Sequence, residues 1–319
     1  MIITSRASRS CFAPGKAELH FFRGFSSIII NAAMSIDTIK TVAVLGAGTM
    51  GNGIAHVFAR RGYRVILRDV EKRLLDRGLE TIAKNLDREV KKGKLSEDEK
   101  MVVVARIKPV TDVAALADAD FVVEAVPEQL DLKLRVLKDV DAPLKRSAIL
   151  ASNTSSISIT QLAAQTSRPE RFIGMHFMNP VPVMQLVEVI RGLATSDETF
   201  DMTMALCENL EKKPVAVNDA PGFVSNRVLM PLINEAAFCV MEGVATPEAV
   251  DAVMKMGMNH PMGPLELADF IGLDVCLDIL EVLYKGFGDP KYRACPLLRK
   301  YVAAGWLGRK SGRGFFKYS

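Results

Sequence analysis

The sequence has few of the residues that build metal centres and disulfide frameworks. Its 319 residues include five cysteines and four histidines. No two cysteines form a Cys-x-x-Cys pair, and none has a histidine at the spacing of a zinc ligand, so we expect no metal site. An odd, scattered set of cysteines is typical of buried free thiols in a reducing compartment, which favours a cytoplasmic location.

Long apolar runs and a strong excess of either charge are also missing. No uninterrupted apolar stretch is long enough to span a bilayer, so we expect no membrane association. The formal net charge is only +4, and no basic stripe with interleaved aromatic residues indicates nucleic-acid binding. With 49% hydrophobic and 24% charged residues, the composition is that of an ordinary globular protein whose length allows two domains.

The first 35 residues differ from the rest of the chain. They contain four basic residues, several serines and a single acidic residue, Glu18. This composition resembles a mitochondrial transit peptide, which would place the protein in the mitochondrial matrix. Alternatively, Met34 is the natural first residue, because the first clear strand follows soon after it. Under either interpretation we expect residues 1–35 to be disordered or to lie outside the fold.

From Thr41 onward, strand-like and helix-like segments alternate along the chain. A charged amphipathic stretch over 71–92 predicts a long helix, and Ser96 with Glu99 forms a capping box for the next one. The strand-like segments are 41–45, 63–68, 121–126, 148–151, 171–177, 184–190 and 214–217. This alternation predicts an α/β fold: a doubly wound, mostly parallel, Rossmann-like sheet with helices on both faces.

The pattern changes near Asn218, beyond which the sequence has no convincing strand before its last few residues. Helix starts are predicted at Pro221, Thr246-Pro247 and Gly263-Pro264, and the last of these helices is expected to run to about Lys285. We therefore predict a sheet domain over 36–217 and a smaller all-helical domain over 218–319. The helical domain is rich in apolar residues for its size, and a homodimer interface is one use for such a surface.

A glycine-rich segment lies between a predicted strand and a predicted helix, and consists of Gly46, Ala47, Gly48, Thr49, Met50 and Gly51. In this context the G-x-G-x-x-G pattern is typical of a dinucleotide site. Gly46 permits the tight turn, Gly48 lets the backbone approach a pyrophosphate, and Gly51 lets the helix pack closely on the strand. The positive end of that helix would then face the phosphates, so we predict that these residues bind the cofactor.

Asp69 closes the second predicted strand, at the spacing of the acidic residue that bonds the ribose hydroxyls in dinucleotide-binding folds. A carboxylate at that position repels a 2′-phosphate, which favours NAD over NADP. Arg68 beside it leaves NADP open, because an arginine could pair with that phosphate.

A nicotinamide cofactor moves hydride, and the oxidation of an alcohol also needs a base that takes the hydroxyl proton. Histidine suits this role because its ordinary pKa lies near neutrality. His176 ends a predicted strand, which is where open α/β sheets place their ligand sites. Of the other histidines, His20 lies in the N-terminal extension, His56 is expected to pack in the interior, and His260 lies in a Pro/Gly loop.

Glu188 lies within a strand-like run that is otherwise almost wholly apolar. A buried carboxylate is costly unless it is paired. A histidine ring N–H is a suitable partner, and the pair would hold the ring in one tautomer. The alternative is that Glu188 faces solvent on an edge strand, and the sequence spacing leaves both arrangements open.

From residue 36 to residue 319 the chain resembles the 3-hydroxyacyl-CoA dehydrogenase family, most closely its short-chain bacterial members, the 3-hydroxybutyryl-CoA dehydrogenases. The most specific resemblance is the block His-Phe-Met-Asn-Pro-Val-Pro from His176, followed shortly by Leu-Val-Glu-Val-Ile. The four blocks that carry the resemblance are 46–55, 151–156, 176–182 and 221–227.

The resemblance implies that His176 and Glu188 form a catalytic dyad. It also implies that Ser155 bonds the substrate 3-oxygen beside the nicotinamide, and that Asn226 reaches the same oxygen from the helical domain. Both side chains can donate to a carbonyl or accept from a hydroxyl. The alternatives are that Ser155 caps a helix and that Asn226 lies on a helix surface.

Further contacts are implied by the same resemblance. Positions that match cofactor contacts of the family are Glu128, Lys133, Ser155, Asn179 and, from the C-terminal tail, Lys310. Asn85 and Lys92 lie on the predicted helix that carries coenzyme A contacts in the family. The alternative for this helix is a solvated basic face, since Lys91 and Lys94 are close in sequence.

The resemblance therefore implies NAD-dependent oxidation of an (S)-3-hydroxyacyl-CoA, with 3-hydroxybutyryl-CoA as the expected substrate, and the reverse reduction. Separate hydratase and thiolase enzymes of the same pathway are possible partners. One alternative is a dehydrogenase of a small hydroxyacid or sugar acid on the same fold. Another is a non-enzymatic, crystallin-like binding protein that retains the fold.

Overall fold

The computed structural model describes residues 36–318, and the expectation for residues 1–35 lies outside the described residues. Within this range the chain forms one eight-stranded sheet. Its strands are β1 Thr41–Leu45, β2 Arg64–Arg68, β3 Ile107–Val110, β4 Phe121–Glu124, β5 Ile149–Ser152, β6 Phe172–Phe177, β7 Leu186–Arg191 and β8 Lys213–Asn218.

The strand order across the sheet is β3-β2-β1-β4-β5-β6-β7-β8. Every neighbouring pair is parallel except β6 and β7, which are antiparallel. The predicted mostly parallel sheet is therefore confirmed. The sequence interpretation missed β3, whose Lys108 and Pro109 are atypical of a strand. Proline is tolerated there because β3 lies at the sheet edge.

Helices cover both faces of the sheet. They are α1 Thr49–Arg60, α2 Lys72–Lys91, α3 Glu97–Ala105, α4 Leu130–Asp141, α5 Ile159–Ala163 and α6 Asp197–Asn209. Alternate residues of β1 point to opposite faces: Val42 and Val44 join one buried cluster, while Ala43 and Leu45 join another. The first cluster includes residues of α1 and α6, and the second includes residues of α4 and α5.

The chain after β8 is helical. Its helices are α7 Ser225–Met241, α8 Pro247–Gly257, α9 Pro264–Ile271, α10 Leu273–Phe287 and α11 Pro296–Ala303. All of them except α8 contribute residues to a third buried cluster, and Val250 of α8 packs against it. We refer to these helices as the helical part. The predicted start at Thr246-Pro247 is confirmed, because the Thr246 hydroxyl accepts a hydrogen bond from Ala249 N. The capping box of Ser96 and Glu99 is confirmed in the same way at α3.

Two predicted helix boundaries were wrong. The helix expected from Pro221 begins at Ser225, because Gly222 (φ +72°) and Phe223 (φ +51°) take left-handed backbone conformations. The single helix expected from Gly263 to about Lys285 is two helices, α9 and α10. They are separated at Gly272, whose φ of +108° interrupts the helical geometry.

Candidate active site

A cleft of about 1030 Å³ opens at the carboxyl ends of the central strands, where open α/β sheets bind their ligands. Polar lining residues come from the loops after the strands and from the start of α7. They include Asp69, Glu128, Asn153, Ser155, His176, Asn179 and Asn226. The helical part contributes an apolar wall of Leu229, Met230, Ile271, Val275 and Ile279. The cleft thus combines a large apolar surface with a few convergent polar groups.

The glycine loop, residues 46–51, forms one end of this cleft. Gly46 has a φ of +96°, and a Cβ there would lie 2.7 Å from the carbonyl oxygen of Ala125. A Cβ on Gly51 would lie 1.7 Å from Gly46 O, so no larger residue fits. A Cβ on Gly48 would have no atom within 4 Å, and Gly48 caps α1 without any side-chain hydrogen bond. The first-turn amides of α1 therefore face an open cradle that fits a pyrophosphate.

Asp69 lies at the end of β2, beside the glycine loop. Its Oδ2 accepts a hydrogen bond from Ala47 N at 2.7 Å, and its Oδ1 accepts one from Val70 N at 2.7 Å. Asp69 and Arg68 both line the cleft. The carboxylate therefore fixes the glycine loop and lies where a dinucleotide places its ribose hydroxyls.

Glu128 organises the loop that carries Ser155. Its Oε1 accepts hydrogen bonds from Thr154 Oγ1 at 2.6 Å and from Ser155 N at 2.8 Å, and both the amide and the hydroxyl of Ser156 also donate to it. Burial opposes ionisation, but the Lys133 charge and these hydrogen bonds prevail and lower the pKa of Glu128. Ser155 is not a helix cap, because Ser158 caps α5.

Lys133 is buried beneath the cleft and is not part of its lining. Its Nζ lies 2.7 Å from Glu124 Oε1 and 3.2 Å from Glu128 Oε2, and it donates to Val126 O at 3.1 Å. The structure therefore places Lys133 behind Glu128, where it supports that carboxylate from inside the protein. Its predicted direct contact with the cofactor stays a prediction.

His176 and Glu188 face each other across the antiparallel pair of β6 and β7. His176 Nδ1 lies 2.8 Å from Glu188 Oε2, and the two residues are 8% and 2% exposed. The alternative in which Glu188 faces solvent on an edge strand is wrong, because β8 pairs with the other side of β7. His176 lines the cleft, and its Nε2 makes no hydrogen bond within the described part of the chain.

The start of α7 completes the surroundings of Glu188. Glu188 Oε1 accepts from Val224 N at 3.2 Å and from Ser225 N at 2.9 Å, and Oε2 also accepts from Ser225 Oγ at 2.8 Å. Burial opposes ionisation, yet the hydrogen bonds from His176 and Ser225 lower the pKa of Glu188. A carboxylate at the N-terminus of a helix is also favoured by the helix dipole.

Asn226 brings the helical part to the Ser155 loop. Its Nδ2 donates to the carbonyl oxygen of Ser155 at 3.0 Å, and both residues line the cleft. Asn226 is thus at an internal junction, not on an outer helix surface. The cleft therefore brings together a histidine–carboxylate pair, a hydroxyl and an amide beside a dinucleotide cradle, which are the groups needed for hydride and proton transfer at an alcohol carbon.

Comparison with known proteins agrees with this geometry. Residues 41–220 match the family profile described as 3-hydroxyacyl-CoA dehydrogenase, NAD binding domain, and residues 222–318 match that family's C-terminal domain. The chain belongs to the 3-hydroxyacyl-CoA dehydrogenase family. It is therefore an oxidoreductase, and NAD is its cofactor, as the sequence predicted.

Several similar members of the 3-hydroxyacyl-CoA dehydrogenase family are bacterial. A probable 3-hydroxybutyryl-CoA dehydrogenase of Bacillus subtilis is 59% identical over 280 residues, which cover 88% of this chain and 98% of that protein. A 3-hydroxybutyryl-CoA dehydrogenase of Bradyrhizobium diazoefficiens is 54% identical over 88% of this chain and 96% of its own length. The crystal structure of (S)-3-hydroxybutyryl-CoA dehydrogenase from Ralstonia eutropha has a TM-score of 0.86 at 54% identity, covering 88% and 99% of the two chains.

Besides Lys133 and Glu188, three other residues predicted from the family resemblance lie outside the cleft lining. Lys310 Nζ pairs with Asp274 at 2.6 Å, and Asn85 accepts a hydrogen bond from Arg88 within α2. Lys92 is exposed at the end of α2. The cleft-facing residues of α2 stop at Thr81, one turn before Asn85. The contacts proposed for Asn85, Lys92 and Lys310 stay predictions.

The remaining histidines described by the structure do not line the cleft. His56 is 1% exposed and its Nε2 lies 3.0 Å from Glu89 Oε1, so it packs in the interior as predicted. His260 does not line the cleft either. Within residues 36–318, no three His, Cys, Asp or Glu side chains are grouped to hold a metal ion, and no helix has the length and apolar character needed to cross a membrane.

The sequence interpretation missed a second buried carboxylate. Glu124, at the end of β4, is fully buried, and its Oε2 accepts from Ser152 Oγ at 2.6 Å. Asn153 was also missed as a functional residue; its Oδ1 accepts from Phe177 N at 2.9 Å, directly after His176. Glu124 could have been predicted from the sequence, because it is an acidic residue within an apolar strand-like run. The same pattern led to the prediction for Glu188.

Proposed function

We propose that this chain catalyses the NAD-dependent oxidation of (S)-3-hydroxybutyryl-CoA to acetoacetyl-CoA, and the reverse reduction, with His176 as general base and Glu188 as its partner. One observation carries the proposal: His176 lines the cleft, and its Nδ1 lies 2.8 Å from Glu188 Oε2. With Nδ1 engaged, Nε2 is the nitrogen left to receive a proton from a bound alcohol. The substrate class is supported by similar relatives that are named as 3-hydroxybutyryl-CoA dehydrogenases.

The residues of the chain have separate roles in this proposal. His176 takes the 3-hydroxyl proton, and Glu188 stabilises the imidazolium and holds its tautomer. Ser155 and Asn226 hold the substrate oxygen, and the apolar wall of the helical part excludes water from the reacting carbon. When bound, NAD supplies the nicotinamide ring that takes the hydride from C3. Hydrogen-bond donors that face the oxygen also favour the reverse reduction, in which negative charge develops on it.

Initial-rate measurements test the substrate and the base together. We expect NAD reduction with (S)-3-hydroxybutyryl-CoA and far less with free 3-hydroxybutyrate. His176→Gln should lower kcat about 100- to 10,000-fold, the usual contribution of a positioned base, while NADH binding measured by fluorescence stays within a few-fold. Equal rates with the free acid would favour the small-hydroxyacid dehydrogenase, and NADH binding without turnover would favour the binding protein. Wild-type turnover by His176→Gln would overturn the proposed base.

The partners expected from the sequence also stay proposals. We propose a homodimer formed by the helical part, on which Val228, Met256 and Phe270 are 67%, 81% and 55% exposed. Light scattering of the purified chain tests the dimer. The cytoplasmic location is proposed on the scattered free cysteines. Cooperation with a separate hydratase and thiolase is proposed on the resemblance alone.

A further inference from the structure

The loop over residues 178–185, which we call the β6–β7 loop, connects the strand of His176 to the strand of Glu188. It also contributes Met178 and Asn179 to the cleft. Only one of its residues, Val181, is buried, at 2% exposure, whereas Val183 is 73% exposed. Apolar burial therefore anchors this loop at a single point, and other contacts must hold the remainder in place.

Lys212 supplies such contacts from beneath the loop. Its side chain is buried, and its Nζ donates to Val181 O at 2.6 Å and to Met184 O at 2.8 Å. No carboxylate of the described residues pairs with this ammonium group. Burial, followed by the nearby charge of Arg61, lowers the pKa of Lys212. A buried cation without an anionic partner is costly, so its two carbonyl contacts are the interactions that offset this cost.

Helix α1 contacts the same loop directly. A Cβ on Gly53 would lie only 2.8 Å from Val181 Cβ, so the loop packs directly against the backbone of α1. The first turn of α1 forms the cradle for the dinucleotide, and Asn52 of the same helix lines the cleft. Val181 thus contacts both the cofactor-binding helix, through its side chain, and the ammonium group of Lys212, through its carbonyl oxygen.

We propose that Lys212 is a positioning residue for the cofactor site. By fixing the carbonyl groups of Val181 and Met184, its ammonium holds Asn179 at the cofactor side of the cleft and keeps β6 and β7 in the register that pairs His176 with Glu188. The proposal rests on the proposed function in one respect: Asn179, which lines the cleft, must contact the bound dinucleotide, as the family resemblance implies. It assigns to a residue outside the cleft a role in cofactor affinity.

Titration of NADH by fluorescence, without acyl-CoA, tests the role of Lys212. Lys212→Met should bind NADH about 10-fold more weakly, the size expected when charge-assisted hydrogen bonds are lost, and Lys212→Arg should recover part of the affinity. Arg168→Met is the matched control, because Arg168 is a buried cation that binds Asp141 and does not line the cleft. It should lower the melting temperature but leave the NADH Kd within two-fold. A Lys212→Met variant that loses stability and keeps wild-type NADH affinity would overturn the proposal.

A pair of glycine substitutions keeps the test decisive if Lys212→Met fails to fold. Gly53→Ala pushes a methyl group into Val181 and should displace the loop without any change at Lys212, which weakens NADH binding. Gly257→Ala, at a helical glycine with no atom within 4 Å of the new Cβ, should leave NADH binding unchanged. Unaltered NADH binding by Gly53→Ala would contradict the role of the loop. A wild-type chain that binds NADH but does not oxidise 3-hydroxybutyryl-CoA would refute the proposed function alone.

Discussion

Glu188 accepts two hydrogen bonds from Ser225, one from its hydroxyl at 2.8 Å and one from its amide at 2.9 Å. The oxygen that accepts the hydroxyl also lies 2.8 Å from His176 Nδ1. The carboxylate that orients the proposed base is therefore also the anchor for the first turn of α7. The start of the helical part and the orientation of His176 on β6 therefore both depend on one ionised side chain.

Glu188→Gln should lower kcat more than it raises the substrate KM. The amide cannot stabilise a charged imidazole, and its NH₂ group faces donors instead of acceptors. Loss of a charge-assisted hydrogen bond of about 1.5–3 kcal/mol predicts a decrease in kcat of about 10- to 100-fold. Ser225→Ala keeps the His176 contact and should cost only a few-fold. Steady-state kinetics of both variants check this, and unchanged kcat in Glu188→Gln would rule out the dyad.

Asn226→Ala should lower kcat/KM by about 100-fold, the usual cost of removing one polar group from a reacting oxygen. Stability should fall by only about 1 kcal/mol, since one neutral hydrogen bond to Ser155 is lost. Asn234→Ala is a matched control in the same helix, because its amide is buried against Arg293 and Cys295 and not in the cleft. That control should lower the melting temperature and leave kcat near wild type. Wild-type kcat/KM in Asn226→Ala, or an equal loss of activity in Asn234→Ala, would refute the role of Asn226.

Much of the sheet could be predicted from local pattern alone. Apolar runs and glycine punctuation located seven strands to within about two residues. The central strands, such as β1 and β6, gave the clearest pattern, because burial on both faces requires continuous apolar sequence. β3 was missed for the opposite reason: an edge strand tolerates Lys108 and Pro109, so its sequence has no such pattern.

The site was less predictable because its contacts are non-local. The start of α7 depends on Glu188, 37 residues earlier, which accepts the Ser225 amide, and no local signal reveals that interaction. Lys133 likewise points into the protein and pairs with the buried Glu124. Its position in the sequence is equally compatible with a side chain that faces the cleft. Side-chain direction was fixed by the register of β6 on β7, which sequence spacing left open.

Two glycines of the loop should respond differently to the same substitution. Gly48→Ala places its methyl group in open space, so the melting temperature should stay near that of the wild type while the NADH Kd rises at least 10-fold, because the backbone can no longer approach the pyrophosphate. Gly51→Ala drives its methyl group into Gly46 O and should destabilise the fold. Thermal melts and NADH titration separate the two effects. Wild-type NADH affinity in Gly48→Ala would refute the cradle.

The stability of the protein in acid should depend on the ion pair of Asp141 and Arg168, which does not line the cleft. It accepts hydrogen bonds from Arg168 Nε and Ser167 N, both at 2.6 Å. Burial opposes ionisation, but the hydrogen bonds from Ser167 and Arg168 lower the pKa of Asp141 below its ordinary 3.8. A lowered folded-state pKa stabilises the protein above the unfolded value and loses that stabilisation as the pH falls through the folded value.

Asp141→Asn should therefore reduce the free energy of unfolding by about 3 kcal/mol near pH 7, because it leaves the buried Arg168 without its counter-charge. The difference from wild type should stay constant down to about pH 4 and then shrink, since Asp141 in the wild type becomes protonated. Urea unfolding at a series of pH values measures it. Asp139→Asn, an exposed substitution on the same helix, should change stability by less than about 0.5 kcal/mol throughout. A gap between wild type and Asp141→Asn that is the same at pH 3 as at pH 7 would show that the ionised pair is not its source.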